Sequence, residues 1–119
     1  MMRKVFLAGF LVSLSLAITS SAQSTPKVAL STTRIATPGH VIVRGSGFTP
    51  KANVSSHLRR PDGAEYPVLP LLTSDKGEFT HDIDTLVLTL GIHELWVVDD
   101  TSKTSSNKVQ FEVTSDTSR

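Results

Sequence analysis

The stretch HVIVRGSGFTPKANV, residues 40–54, begins as a β-strand and stops abruptly. Val41 and Val43 alternate with longer side chains, which is the period-two signature of a strand with one face buried. Gly45, Ser46, Gly47 and Pro50 then cut the run short. Such punctuation fits a chain that leaves one sheet and crosses to a facing one. Glycine lacks a Cβ and tolerates the bulged or left-handed backbone of a corner. On this reading Gly45 and Gly47 shape the corner, Phe48 folds inward to plug the end of the molecule, and Pro50 stiffens the crossing.

The same chemistry recurs along the chain. Short runs rich in Val, Ile, Leu, Thr and Phe alternate with turn residues at intervals of about 8–12, the pattern of an all-β domain. The expected strands are Lys27 to Ser31, continuing through Thr33 to Ala36; His40 to Arg44; Asn53 to Arg60; Glu65 to Leu72; Glu78 to Asp84; Leu86 to Leu90; Ile92 to Asp99; and Lys108 to Thr114. Pro67 and Pro70 cannot donate ladder hydrogen bonds, so their segment belongs at a sheet edge. Pro61-Asp62-Gly63 and Ser74-Asp75-Lys76-Gly77 are turns. No segment after residue 22 repeats apolar residues at helical spacing. Seven to eight short antiparallel strands without helices predict an immunoglobulin-like β-sandwich. Parity gives its core as Val41, Val43, Val54, Leu58, Phe79, Ile83, Leu95, Val97, Val109, Phe111 and Val113.

The first residues have a different character. Arg3 and Lys4 precede an uncharged, mostly apolar run from Val5 to Ile18, and Ser20 and Ala22 supply small residues before Gln23. This is the layout of a secretory signal peptide over residues 1–22. The apolar run is shorter than the roughly 20 residues of a membrane span. A flexible start at 23–26, a domain at 27–114 and a frayed tail at 115–119 complete the expected organisation. The expected location is secreted or periplasmic/extracellular, with no membrane association once the leader is removed.

Composition narrows the function classes. The chain has 12 basic and 11 acidic residues, and two of the basic ones lie in the leader. A module left with ten against eleven has no electrostatic footprint for nucleic acid. There is no cysteine, which removes thiol nucleophiles, disulfides and Cys-ligated zinc. The core alone must then hold the fold, for a stability of about 5–10 kcal/mol.

The pattern of residues resembles IPT/TIG-like and related bacterial immunoglobulin-like domains. The resemblance rests on Pro38-Gly39, on Val41 and Val43, and on Gly45-Ser46-Gly47-Phe48 with Pro50 and Val54. It continues through Asp75-x-Gly77-x-Phe79, Gly91-x-His93-x-Leu95-x-Val97-x-Asp99 and Val109-x-Phe111-x-Val113. It spans about residues 27–114 and encodes a sandwich, not a chemistry. Such domains commonly act as adhesion, spacer or binding modules beside other domains. The sequence departs from the pattern in holding a single such unit and in placing His93 where an aromatic, often Tyr, is usual. Kinship of fold transfers no function by itself.

Candidate chemical groups are few. Gly45-Ser46-Gly47 lacks the third glycine and the following helix of a dinucleotide loop, and it is not a nucleophile elbow. His81 and His93 fall on inward parity, where two imidazoles could meet around a borderline cation. The competing expectation is a core-edge histidine bonded to a carbonyl or hydroxyl. His40 and His57 fall outward. Asp82 with Asp84, and Asp99 with Asp100, could serve as paired carboxylates or calcium ligands, but exposed strand carboxylates more often provide solubility. Asn53-Val54-Ser55 is a glycosylation sequon, and Arg59-Arg60 reads as a solvated hairpin end.

Trp96 is the most informative residue. With Leu95 and Val97 inward, Glu94, Trp96 and Val98 face outward on a central strand. Trp96 could lie beneath a loop or the proline-rich edge, stand free as a platform for a sugar ring or partner protein, or sit in the core through a shifted register. The expectation is therefore a non-enzymatic module, monomeric and without cofactor, metal or catalytic residues. It would bind a protein partner or act as a cell-envelope accessory. The alternative is a carbohydrate-binding module for a surface glycan, and Trp96, Glu94 and Val98 are the candidate binding residues in both cases.

Overall fold

The computed structural model describes residues 25–115. The leader at 1–22, half of the flexible start and nearly all of the tail expected from sequence lie outside the described residues. Eight strands follow one another: β1 Lys27–Leu30, β2 Arg34–Thr37, β3 His40–Ser46, β4 Asn53–Arg59, β5 Leu69–Leu72, β6 Phe79–Asp84, β7 Gly91–Asp99 and β8 Val109–Ser115. They form a three-stranded sheet in the order β1-β3-β6 and a five-stranded sheet in the order β2-β8-β7-β4-β5. The first strand region divides between the sheets, with β1 antiparallel to β3 and β2 parallel to β8. This strand order is an immunoglobulin-like β-sandwich.

The core forms where alternation demands it. Val28, Val43, Phe48, Val54, Phe79, Ile83, Leu95 and Val97 make one buried cluster, and Val41, Phe111 and Val113 make a second. Leu58 and Val109, expected in the core, are only partly buried against these clusters. Val28, one residue into the short β1, is buried as well. Its strand is too brief for alternation to reveal a face. Asn107 clamps it from the connection between β7 and β8, its Oδ1 accepting the Val28 amide at 2.9 Å and its Nδ2 donating to the Val28 carbonyl at 3.1 Å.

Three expectations are corrected. Leu86 to Leu90 is not a strand. Asp84 accepts the Leu86 amide at 2.9 Å and caps a 3-10 turn over Thr85–Val87, and Thr85 is buried with its amide and hydroxyl donating to the Gly39 carbonyl. The local capping bonds give the backbone an alternative to a ladder. Gly45 does not turn a corner either. It lies inside β3, paired with Val28 and Phe79, and a Cβ there would come within 2.1 Å of the Phe79 ring. Glycine at this position makes room for an aromatic. The corner belongs to Gly47, whose φ is +77°. Beyond it Phe48 packs inward against Phe79 with ring centroids 5.4 Å apart, closing that end. Finally, Arg59 and Arg60 are half-buried and partnered, not merely solvated.

The proline-rich segment supplies β5, one of the two edges of the five-stranded sheet. Thr73 donates its amide to the Ala52 carbonyl, so residues 69, 71 and 73 turn their backbone groups toward β4. Pro70 then points its donor-less nitrogen away from the sheet, which blunts the edge against further pairing.

Candidate functional site

β7 is the organising strand. It lies between β4 and β8 and pairs with both. His93, Leu95, Val97 and Asp99 point inward and are buried, while Ile92, Glu94, Trp96 and Val98 line the outer face. Burial of Leu95 and Val97 fixes the register, so Trp96 is outside the core. It is half-buried on the sheet surface.

Its surroundings come from both neighbouring strands. His57, directly opposite on β4, stacks on the indole with centroids 5.2 Å apart and planes 5° from parallel. The Arg59 guanidinium lies 5.1 Å from the indole centroid, and the Lys108 ammonium, just before β8, lies 5.0 Å from it. Cations over an indole face are attracted by its quadrupole, by about 0.5–1 kcal/mol each at a surface site. Arg59 is held in turn by Glu94 at 3.1 Å and by Glu65 at 4.0 Å, and Glu65 also meets His57 Nδ1 at 3.5 Å. Trp96, His57, Arg59, Lys108, Glu94 and Glu65 thus form one patch of alternating charge around an aromatic centre. Val98 continues its apolar part along β7, and Ile92, 55% exposed, extends it at the other end. Of the sequence candidates, Trp96, Glu94 and Val98 share this face. His57, Arg59 and Lys108 were missed, because only the cross-strand register reveals that they surround the indole.

The remaining candidates separate. Asp82 accepts from or pairs with His40 Nδ1 at 2.7 Å on the exposed face of β6, and that hydrogen bond and charge push the His40 pKa up. Asp84 caps the 3-10 turn. Asp100 accepts from Ser55 Oγ at 2.9 and 3.0 Å. Asp99 is buried, and its carboxylate is fully engaged. Oδ2 accepts the Thr49 amide at 2.7 Å and the Thr49 hydroxyl at 2.9 Å; Oδ1 accepts the Thr101 and Ser102 amides at 3.0 and 3.3 Å. Burial raises its pKa, but these donors outweigh burial and hold it below the usual carboxylate value. A cleft of about 950 Å³ opens beside it between Pro26, Phe48, Pro50 and Ser105, yet the one buried acid there has no acceptor capacity aimed into the opening.

His93 occupies an inward position of β7. It is fully buried and stacks between Tyr66 at 6.0 Å and Phe111 at 5.3 Å. Its Nδ1 meets the Gly91 carbonyl at 3.1 Å and its Nε2 the Tyr66 hydroxyl at 3.4 Å. Both nitrogens are used, as expected of a core-edge histidine. His81 lies on the inward side of β6, half-buried, and burial lowers its pKa. Among the described residues no three His, Asp or Glu side chains gather where a metal ion could be held.

No family model matches the chain, and no curated protein matches it. Among solved structures it is similar to the CARDB domain of a Pyrococcus furiosus protein in complex with di-metal ions, at 10% identity and a TM-score of 0.47, over 82% of this chain and 100% of that one. It is also similar to chitinase ChiW from Paenibacillus sp. str. FPU-7, a cell-surface-expressed multi-modular enzyme. There the identity is 18% and the TM-score 0.46, over 77% of this chain and 8% of the chitinase. Likeness at this level says nothing about ligand or activity. The immunoglobulin-like layout stands on the strand order above; membership of the IPT/TIG group does not follow from it.

Proposed function

We propose that the chain is an exported, non-enzymatic immunoglobulin-like module that binds a partner protein through the outer face of its five-stranded sheet. Trp96, Glu94 and Val98 form the centre of that face, with His57, Arg59 and Lys108 around them. The observation that carries this reading is the half-buried Trp96 held by its own neighbours on a central strand. Interface anchors are enriched in Trp and Arg, and they work best when pre-positioned, since little side-chain freedom is then lost on binding. Export rests on the leader-like residues 1–22.

The glycan alternative asks for a free ring face on which a sugar can stack. The Trp96 ring is approached by an imidazole from β4 and by cations from β4 and from just before β8, which favours a protein partner. Catalysis finds no support in a carboxylate pair, because Asp82, Asp84, Asp99 and Asp100 each serve a separate local bond.

The test is capture from extracts of the source organism with three forms of the protein. Wild type and Thr80→Ala, altered on the opposite sheet, should retain the same partner, and Trp96→Ala should lose it while keeping its melting temperature within a few degrees. Equal retention by all three forms, or quenching of Trp96 fluorescence by envelope glycans alone, would contradict the reading.

A further inference from the structure

The inward residues of β7 include one group whose bonding is best satisfied in its neutral form. The Gly91 carbonyl is an acceptor only, so His93 Nδ1 must carry a hydrogen to meet it. In the neutral ring Nε2 is then the lone-pair nitrogen, 3.4 Å from the Tyr66 oxygen, and the Tyr66 hydroxyl is the donor of that pair. The Tyr66 oxygen accepts in turn from the Thr89 amide at 3.2 Å. The relay runs from Thr89 N–H to the Tyr66 hydroxyl to His93 and on to Gly91 O. It ties together the segment between β4 and β5, which carries Tyr66, and the segment between β6 and β7, which carries Thr89. Neither segment has a strand ladder over most of its length.

We propose that neutral His93 is a proton-sensitive latch that holds the Tyr66 and Thr89 segments on the sheet, and that its protonation releases both.

A second hydrogen on Nε2 would face the phenol. Tyr66 would have to accept from both Thr89 and His93, leaving its own hydrogen without the acceptor it now has. The new charge would also be buried between the Tyr66 and Phe111 rings with no anion beside it. Just past β4, the Arg60 guanidinium, of the same sign, lies 5.8 Å from the Tyr66 ring centroid. The carboxylate of that corner, Asp62, is committed to Arg60 at 2.9 Å and to the Ala64 amide at 3.0 Å. From β8, Phe111 is uncharged, and the apolar groups packed against it, Val41, Val113 and Leu88, are uncharged too. On β7 itself, Glu94 points to the outer face toward Arg59. Burial and Arg60 push the His93 pKa down against the opposing Gly91 bond, in keeping with this geometry. The adjoining apolar side chains Leu86, Val87 and Leu90 are 54–71% exposed on the Thr89 segment, so its release would reposition that exposed apolar surface.

Amide hydrogen exchange on the full chain between pH 7.5 and 5, corrected for the intrinsic pH dependence, tests the latch. Residues 60–68 and 85–91 should exchange faster in acid, by up to tenfold for each unit by which the latched pKa lies below the free one, while the β3 and β8 amides stay protected. His93→Phe should abolish the acid response, and His81→Gln should keep it. Exchange in those segments that is unchanged with pH, or that rises equally in His93→Phe, would overturn the proposal. Should His93→Phe not fold, imidazole nitrogen resonances of the wild type decide. The Nδ1–H tautomer should give way with the same midpoint as the Tyr66 and Thr89 amide shifts, and separate midpoints would sink the idea.

Discussion

β7 carries a buried polar residue near each end, and the two are stabilised in opposite ways. At one end Asp99 is a buried anion met by four donors from the Thr49 corner and the Thr101–Ser102 turn. At the other, His93 is a buried neutral base held by stacking and by a relay that fails once it is charged. One end is built around a charge, the other around its absence. The difference follows from what surrounds each group: backbone amides converge on Asp99, whereas aromatic rings and a guanidinium crowd His93.

Breaking the Asp99 end should have the largest effect. Asp99→Ala leaves four donors without their acceptor, two of them on the Thr49 corner, and should cost about 3–4 kcal/mol in chemical denaturation. Asp99→Asn, which keeps the shape and part of the bonding, should cost less. Next comes the glycine that admits an aromatic. Gly45→Ala drives a methyl into the Phe79 ring and should cost about 2 kcal/mol, and pairing it with Phe79→Leu should recover part of the loss.

Acid sharpens the contrast by separating the ends in pH. His93 and Asp99 both have folded-state pKa values below their ordinary ones, so in each case the unfolded chain binds protons more readily. The contribution of His93 is present above its ordinary 6.5 and is lost as pH falls below that toward the folded value. That of Asp99 is present above 3.8 and is lost only below it. A melting-temperature profile should therefore fall in two separated steps. Asp99→Asn should remove the lower step and His93→Phe most of the upper one, with the half-buried His81 contributing the remainder. His40 works the other way, its bond to Asp82 being lost as pH rises, but it is fully exposed and should leave the profile nearly unchanged. The smallest effect on stability should be that of Trp96→Ala, about 1 kcal/mol because the indole is only half-buried, even though partner retention is lost.

The sequence made one of these ends far more legible than the other. Period two placed Leu95, Val97, Phe111 and Val113 correctly because each strand is long enough to show alternation. It also put His93 inward, where a core-edge histidine bonded to a carbonyl or hydroxyl was one of two readings, but the rings it stacks between come from other segments. Asp99 was visible only as half of an acidic pair. Its role depends on Thr49, fifty positions away in the chain, and no local pattern records that contact. Gly45 was misassigned for the same reason, since the ring it accommodates arrives from β6. Leu86 to Leu90 has strand-like composition, but the Asp84 cap decided its shape. At the proposed binding face, Trp96, Glu94 and Val98 followed from alternation on one strand, while His57, Arg59 and Lys108 required the pairing of three.

The most direct test of the binding face is chemical-shift mapping of labelled protein against its captured partner. The account predicts perturbations centred on His57, Arg59, Glu94, Trp96, Val98 and Lys108, with β1, β3 and β6 unaffected. Shifts confined to the three-stranded sheet, or to the end loops around Asp99, would contradict it.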